Sequence, residues 1–155
     1  MAIYYLDSSA VIKLYRLEAG TAAVEQIMNE PDSLRFISRL TVVETERAFG
    51  RRMRVNEVSQ SELEELRSGF YLDLRRRRMR VKEVTPLHYR SAVRLVRKYA
   101  LFQHVPFVRS LDALHLAVAL EVRERDGLDF FVCADKDLCT VAEAEQLSVI
   151  NPELS

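Results

Sequence analysis

A chain of 155 residues with 23 Lys/Arg against 23 Asp/Glu and 48% hydrophobic content can bury a core, and its balance excludes a disordered or collagen-like polypeptide. The apolar run from Leu111 to Leu120 is too short to span a bilayer and is broken by Asp112 and His115. The N-terminus shows neither a basic n-region nor a small-residue cleavage site, so no membrane partner and a cytoplasmic location are expected.

Ala2 to Leu6 is apolar, aromatic and β-branched without polar alternation, which predicts a strand buried on both faces. Asp7 ends it, Ser8 and Ser9 supply N-caps, and Ala10 to Tyr15 reads as a helix. Asp7 then stands at the carboxyl edge of a strand, where open α/β sheets bind ligands. Gly20 and Thr21 open a short helix through Met28, closed by Asn29-Glu30-Pro31. Leu34 to Ile37 is a strand, and Ser38 caps a helix from Arg39 to about Arg54. On that helix Glu44 lies one turn from Leu40 and from Ala48. Glu46 is nearly as well placed, so helical spacing does not choose between them.

Ser59 to Glu62 is a capping box, opening a long helix through Arg80 on which Leu63, Leu66, Phe70 and Leu74 are packing positions. Val81 to Val84 predicts a strand, and Thr85-Pro86 an N-cap and first-turn proline for a helix to about Leu101. Ser110 reads as the N-cap of a helix that is apolar on nearly every side and belongs in a core. An ionised Asp112 in its first turn requires a partner, a metal or a raised pKa. His115, one turn on, reads as a satisfied core histidine. The helix ends near Gly127. Asp129 to Cys133 is a second buried strand, followed at once by Ala134-Asp135-Lys136-Asp137. Leu147 to Ile150 is a last short strand. This alternation predicts a single α/β domain over residues 1–155, a parallel β-sheet flanked by helices. Cys133 and Cys139 lack metal-site spacing and read as reduced thiols, Cys133 as a small hydrophobe in its strand.

Asp7 and Asp135 share one context, just past a buried strand and just before a helix, so a parallel sheet brings them to one edge. Asp112 and Glu44 can join them from helices. Carboxylates so gathered repel unless a cation sits among them, and an all-oxygen set suits Mg²⁺ or Mn²⁺ rather than zinc. Plainer roles stand beside this one: Asp7 and Asp135 as helix caps, Asp112 as a helix-dipole partner, Glu44 as a partner of Arg47. From Glu44 to Ala100 there are 15 Lys/Arg against 8 Asp/Glu, and the proportions are reversed in the remainder. Arg51, Arg52, Arg76 and Arg77 in this basic band are candidate contacts for an RNA backbone, or solvate helix faces.

The segments Tyr5-Leu6-Asp7-Ser8-Ser9-Ala10, Ile37-Ser38 with Glu44 on the next helix, Leu111 to Ala117, and Val132 to Leu138 together resemble the PIN domain. Their order and spacing are similar to the VapC-type toxins of type II toxin–antitoxin systems, as is the closing Val149-Ile150-Asn151-Pro152. The resemblance covers essentially the full length. It implies a catalytic quartet of Asp7, Glu44, Asp112 and Asp135, with Asp7, Asp112 and Asp135 as ligands of Mg²⁺ or Mn²⁺, and it selects Glu44 over Glu46. Ser9 falls where such proteins often carry a Ser or Thr near the metal, and Asp137 is a candidate outer carboxylate. Cys133 stands where Ser or Thr is common. The implied activity is that of a metal-dependent endoribonuclease toxin hydrolysing phosphodiester bonds. The implied partners are RNA, a cognate VapB-type antitoxin that fills the acidic groove, and a second copy in a homodimer. Two readings compete. A non-catalytic or antitoxin-sequestered PIN scaffold would bind protein or RNA without needing the carboxylates. An aspartyl-phosphate phosphohydrolase wants a second Asp where Ser9 stands.

Overall fold

Strand β1 (Ile3–Leu6) is buried along its whole length, and the rest of the chain is laid down around it. A computed structural model describes residues 1–154, and in it β1 lies at the centre of a five-stranded parallel sheet. Its neighbours are β2 (Leu34–Ser38) on one side and β4 (Phe130–Val132) on the other. β3 (Arg80–Lys82) and β5 (Val149–Ile150) are the edges, giving the order β3-β2-β1-β4-β5. Successive side chains of a strand point to opposite faces. Tyr5 therefore joins the core beneath one layer of helices, and Tyr4 and Leu6 the core beneath the other. Both faces are covered, which is why β1 and β4 read as unbroken apolar runs.

One face is covered by α5 (Pro86–Tyr99), α6 (Ser110–Asp126) and α7 (Lys136–Ala144). The other is covered by α1 (Ser8–Val11) with the 3-10 turn Ile12–Tyr15, α2 (Thr21–Asn29), α3 (Arg39–Arg54) and α4 (Gln60–Arg75). Every residue of α6 from Ala113 to Ala119 is buried, as its all-round apolar surface predicts. No helix among the described residues is long and apolar enough to cross a membrane.

Four local expectations are corrected. Asp7, not the Ser pair, caps α1, its carboxylate accepting from the Ala10 backbone N–H. Arg109, not Ser110, holds the N-cap position of α6, because the Arg109 carbonyl already accepts the first intrahelical bond, from the Ala113 N–H at 2.8 Å. Helix α4 stops at Arg75 rather than Arg80. Arg77 turns into the left-handed region, with φ 55°, and the chain leaves to pair β3 with Phe36–Ser38 of β2. That pairing also starts the strand at Arg80 rather than Val81 and ends it at Lys82 rather than Val84.

Candidate active site

Asp7 follows β1 and Asp135 follows β4, and these strands are adjacent although more than 120 residues separate them. The strand order reverses direction between them, the place where a parallel α/β sheet opens a crevice at its carboxyl ends. Both aspartates cap helices as well: Asp7 accepts from Ala10 N–H, and Asp135 Oδ1 from Leu138 N–H at 3.0 Å. The capping role fixes Oδ1 of each and leaves Oδ2 to other partners, Cys133 at Asp7 and Arg109 at Asp135.

Asp7 is 4% exposed and is surrounded by neutral donors. Ser9 Oγ donates to its Oδ1 at 2.6 Å, and Cys133 Sγ donates to its Oδ2 at 3.4 Å. Burial pushes the Asp7 carboxyl above its ordinary range, against the pull of Ser9, His115, Ala10 and Cys133. Ser9 Oγ also accepts from the Ala134 N–H at 2.9 Å, tying the end of β1 to the end of β4. Cys133 is thus more than a packed hydrophobe: its S–H supplies a donor to Asp7.

Glu44 reaches the same edge from the second turn of α3. Its Oε1 lies 2.6 Å from His115 Nε2 and accepts from Ser8 Oγ at 2.9 Å. An ionised carboxylate only accepts, so Nε2 carries the proton. In the neutral ring Nδ1 then accepts from the Tyr5 hydroxyl, 2.8 Å away. Burial acts to raise the Glu44 carboxyl, but the His115 and Ser8 contacts outweigh it and hold it below the ordinary value. His115 is 1% exposed and satisfied on both nitrogens, as expected of a core histidine, and its partner is one of the candidate acids. Glu46 points elsewhere, to Arg67 Nε at 2.8 Å and the Tyr71 hydroxyl at 3.0 Å. Tertiary contacts thus separate the two glutamates that periodicity left equal.

Asp112 projects from the first turn of α6. Arg109 Nε donates to its Oδ2 at 3.1 Å, and Arg109 Nη2 donates to Asp135 Oδ2 at 2.6 Å. The Asp112 carboxyl is raised by burial and by the nearby Asp135 charge, against the opposing effect of Arg109. Asp137 is exposed and shares with Asp112 and Arg109 the lining of a small cavity of about 100 Å³. The site roles of Ser8, Tyr5 and Arg109 are not legible in the sequence, because each rests on a distant partner: Glu44, His115 and Asp135.

The donors are carboxylate oxygens of the kind a hard divalent ion takes, and Asp7 is a buried carboxylate with no cation hydrogen-bonded to it. In chemistry the set fits such an ion. Among the described residues, however, no three His, Cys, Asp or Glu side chains converge on one point as an ion requires. Asp112 and Asp135 turn toward the Arg109 guanidinium instead.

The arginines divide. Arg51 is exposed and lines, with Arg16, Arg47 and Arg52, a cleft of about 430 Å³ beside α3. Arg52 is only 9% exposed, and its Nη1 is buried with no hydrogen-bond partner among the described residues. Arg76 and Arg77 lie in the turn before β3, at the amino end of the sheet, opposite to the carboxylates.

The family model for the PIN domain matches residues 4–144. Over 149 residues, 96% of each chain, the sequence is 32% identical to Ribonuclease VapC35 of Mycobacterium tuberculosis. The fold is similar to that of VapC20 of M. tuberculosis, described as a Sarcin-Ricin loop cleaving toxin, with a TM-score of 0.61 and 15% identity over 96% of this chain and 97% of that one. It is also similar to a chain in a toxin–antitoxin complex from Klebsiella pneumoniae, with a TM-score of 0.60 and 16% identity over 98% of both chains.

Proposed function

Since this chain belongs to the PIN-domain family, on its VapC-type branch, we propose that it is an endoribonuclease toxin whose chemistry resides at Asp7, Glu44, Asp112 and Asp135. The observation that carries this reading is the placement of Asp7 and Asp135 at the strand-order reversal, with Asp112 joined to Asp135 through a single guanidinium. The 32% identity to a protein named as a ribonuclease supports the substrate class. The likeness in fold to a chain of a toxin–antitoxin complex supports a VapB-type antitoxin as partner. A second copy in a homodimer is part of the same reading.

Asp7, Asp112 and Asp135 would hold Mg²⁺ or Mn²⁺, and such an ion would supply a water of lowered pKa and offset charge on the scissile phosphate. The chain's own contribution is to fix the acids. Ser9, Cys133 and the Ala10 N–H hold Asp7, so its orientation is set before substrate arrives. Ser8 and His115 hold Glu44, and Tyr5 holds the ring of His115. In this reading Ser9 supports Asp7 through its hydrogen bond, and Asp137, in the cavity beside Asp112, is the candidate outer carboxylate. Arg51, with Arg16 and Arg47 beside it, offers positive charge one to two turns along α3 from Glu44, where the RNA backbone can lie. Arg52, Arg76 and Arg77 contribute to the general positive field.

The test is cleavage of a structured RNA by the purified chain in Mg²⁺ and in EDTA, with Asp112→Asn alongside. Cleavage only in Mg²⁺, lost in Asp112→Asn protein of unchanged melting temperature, is the expected result. Equal cleavage in EDTA and by the variant overturns the reading.

A further inference from the structure

Arg109 closes the irregular segment between α5 and α6, and its backbone is extended, with φ −78° and ψ 158°. Its side chain is 70% exposed, yet the guanidinium spans two carboxylates from separate elements. Nε meets Asp112 on α6, and Nη2 meets Asp135 at the entry to α7. Among the described residues these are the ion pairs of Asp112 and Asp135. A planar fork is the side chain best shaped to bridge two acids, and a lysine ammonium cannot reproduce that span. The fork therefore does geometrically what a bound divalent ion would do: it lets two like charges face one another. Both pairs face solvent, where ion pairs are individually weak, so the guanidinium can be displaced without disturbing the core.

We propose that Arg109 is a built-in occupant of the acidic cluster, neutralising Asp112 and Asp135 until a divalent ion displaces it, and so setting the ion concentration at which the site loads. This rests on the reading of Asp112 and Asp135 as ion ligands. It also accounts for a site rich in carboxylates in which no three converge. The competition is direct, because the guanidinium already holds Oδ2 of both carboxylates, and Oδ1 of Asp135 is taken by the Leu138 N–H. Displacement leaves Arg109 at the rim as a free cation.

Calorimetric titration of the EDTA-stripped full chain with Mn²⁺ tests this in wild type, Arg109→Ala, Arg109→Lys and Arg67→Ala. Asp112→Asn marks the site, and melting curves verify folding. Loss of two exposed ion pairs predicts a Kd lowered roughly three- to thirtyfold in Arg109→Ala. Arg109→Lys should fall between this value and wild type. Arg67→Ala removes an equal charge from α4 and should leave the Kd within about twofold. A Kd unchanged in Arg109→Ala but abolished in Asp112→Asn overturns the clamp and leaves the ion site standing. Equal tightening in Arg67→Ala overturns it too, as a nonspecific charge effect. No Mn²⁺ binding by wild type or by Arg109→Ala overturns both the clamp and the ion-ligand reading.

Discussion

Glu44 and His115, 71 residues apart in sequence, meet at 2.6 Å between Oε1 and Nε2, and the far nitrogen of the same ring meets the Tyr5 hydroxyl. A carboxylate half open to solvent is thereby oriented by a ring that solvent does not reach. Replacing His115 by Gln keeps bulk and a donor but breaks the line from Tyr5 to Glu44. RNA cleavage by His115→Gln should fall about 10- to 100-fold, the usual cost of losing a residue that orients a reacting group. Tyr5→Phe should show a smaller loss in the same assay. Unchanged cleavage in both would mean that Glu44 needs no such support.

Asp7 sits among neutral donors, so its charge is costly while no cation offsets it. Asp7→Asn keeps the shape and removes that cost. In EDTA at pH 7 the variant should melt higher than wild type, by about 1 kcal/mol or roughly 2–4 °C for a chain of this size, while losing RNA cleavage. A lower melting temperature would show that the hydrogen bonds to the carboxylate outweigh its burial.

Glu145 at the end of α7 accepts from Lys98 Nζ at 2.6 Å and from the Tyr99 hydroxyl, fastening α7 to α5. Burial acts to raise its pKa, but Lys98 and Tyr99 outweigh it and hold the carboxyl below the ordinary 4.5. A depressed carboxyl adds stability above its unfolded pKa, and that stability is lost as pH falls through the folded value. Glu145→Gln should therefore melt about 2–4 °C lower at pH 7, equivalent to about 1 kcal/mol. The deficit should close as the pH is taken below about 4. A pH-independent deficit would assign the effect to packing.

Arg77 occupies a left-handed backbone with φ 55°, where any side chain is strained and glycine is not. Arg77→Gly should raise stability by about 0.5–1 kcal/mol in thermal melts. Since this turn lies at the amino end of the sheet, the KM for RNA should move little, while Arg51→Ala beside α3 should raise it. The reverse ranking would relocate the RNA path.

Arg52 is nearly enclosed, and its Nη1 has no hydrogen-bond partner among the described residues. Burial lowers its pKa, with the Arg16 charge acting in the same direction. Arg52→Met fills similar space without the unpaired group and should be neutral or stabilising by up to about 1–2 kcal/mol in chemical denaturation. Clear destabilisation would reveal a needed interaction with Glu18 or Glu57, the acids nearest its charge.

The parts of the fold visible in the sequence are those that local chemistry dictates. β1 and β4 are apolar because both faces are covered, and an acid within three residues of the end of each marks the sheet's carboxyl edge. The capping box at Ser59 and Glu62 forms as spelled, and Gly127 ends α6 in the left-handed region. What sequence spacing could not give is set by contacts between distant segments. Glu44 and Glu46 differ only in whether His115 or Arg67 faces them. Helix α4 ends without a glycine or proline, because pairing with β2 draws Arg80 into the sheet. Arg109 looks like one more arginine until Asp112 and Asp135 are seen on either side of it.

The placement of β1 between β2 and β4 also carries a consequence in time. A growing polypeptide presents Asp7 early and Glu44 soon after, while Asp112 and Asp135 follow much later in the chain. A product truncated before Asp135 lacks part of the set of acids. On the proposed reading the cutting edge is therefore complete only once β4 has paired with β1, and a chain interrupted before that point carries an unfinished blade.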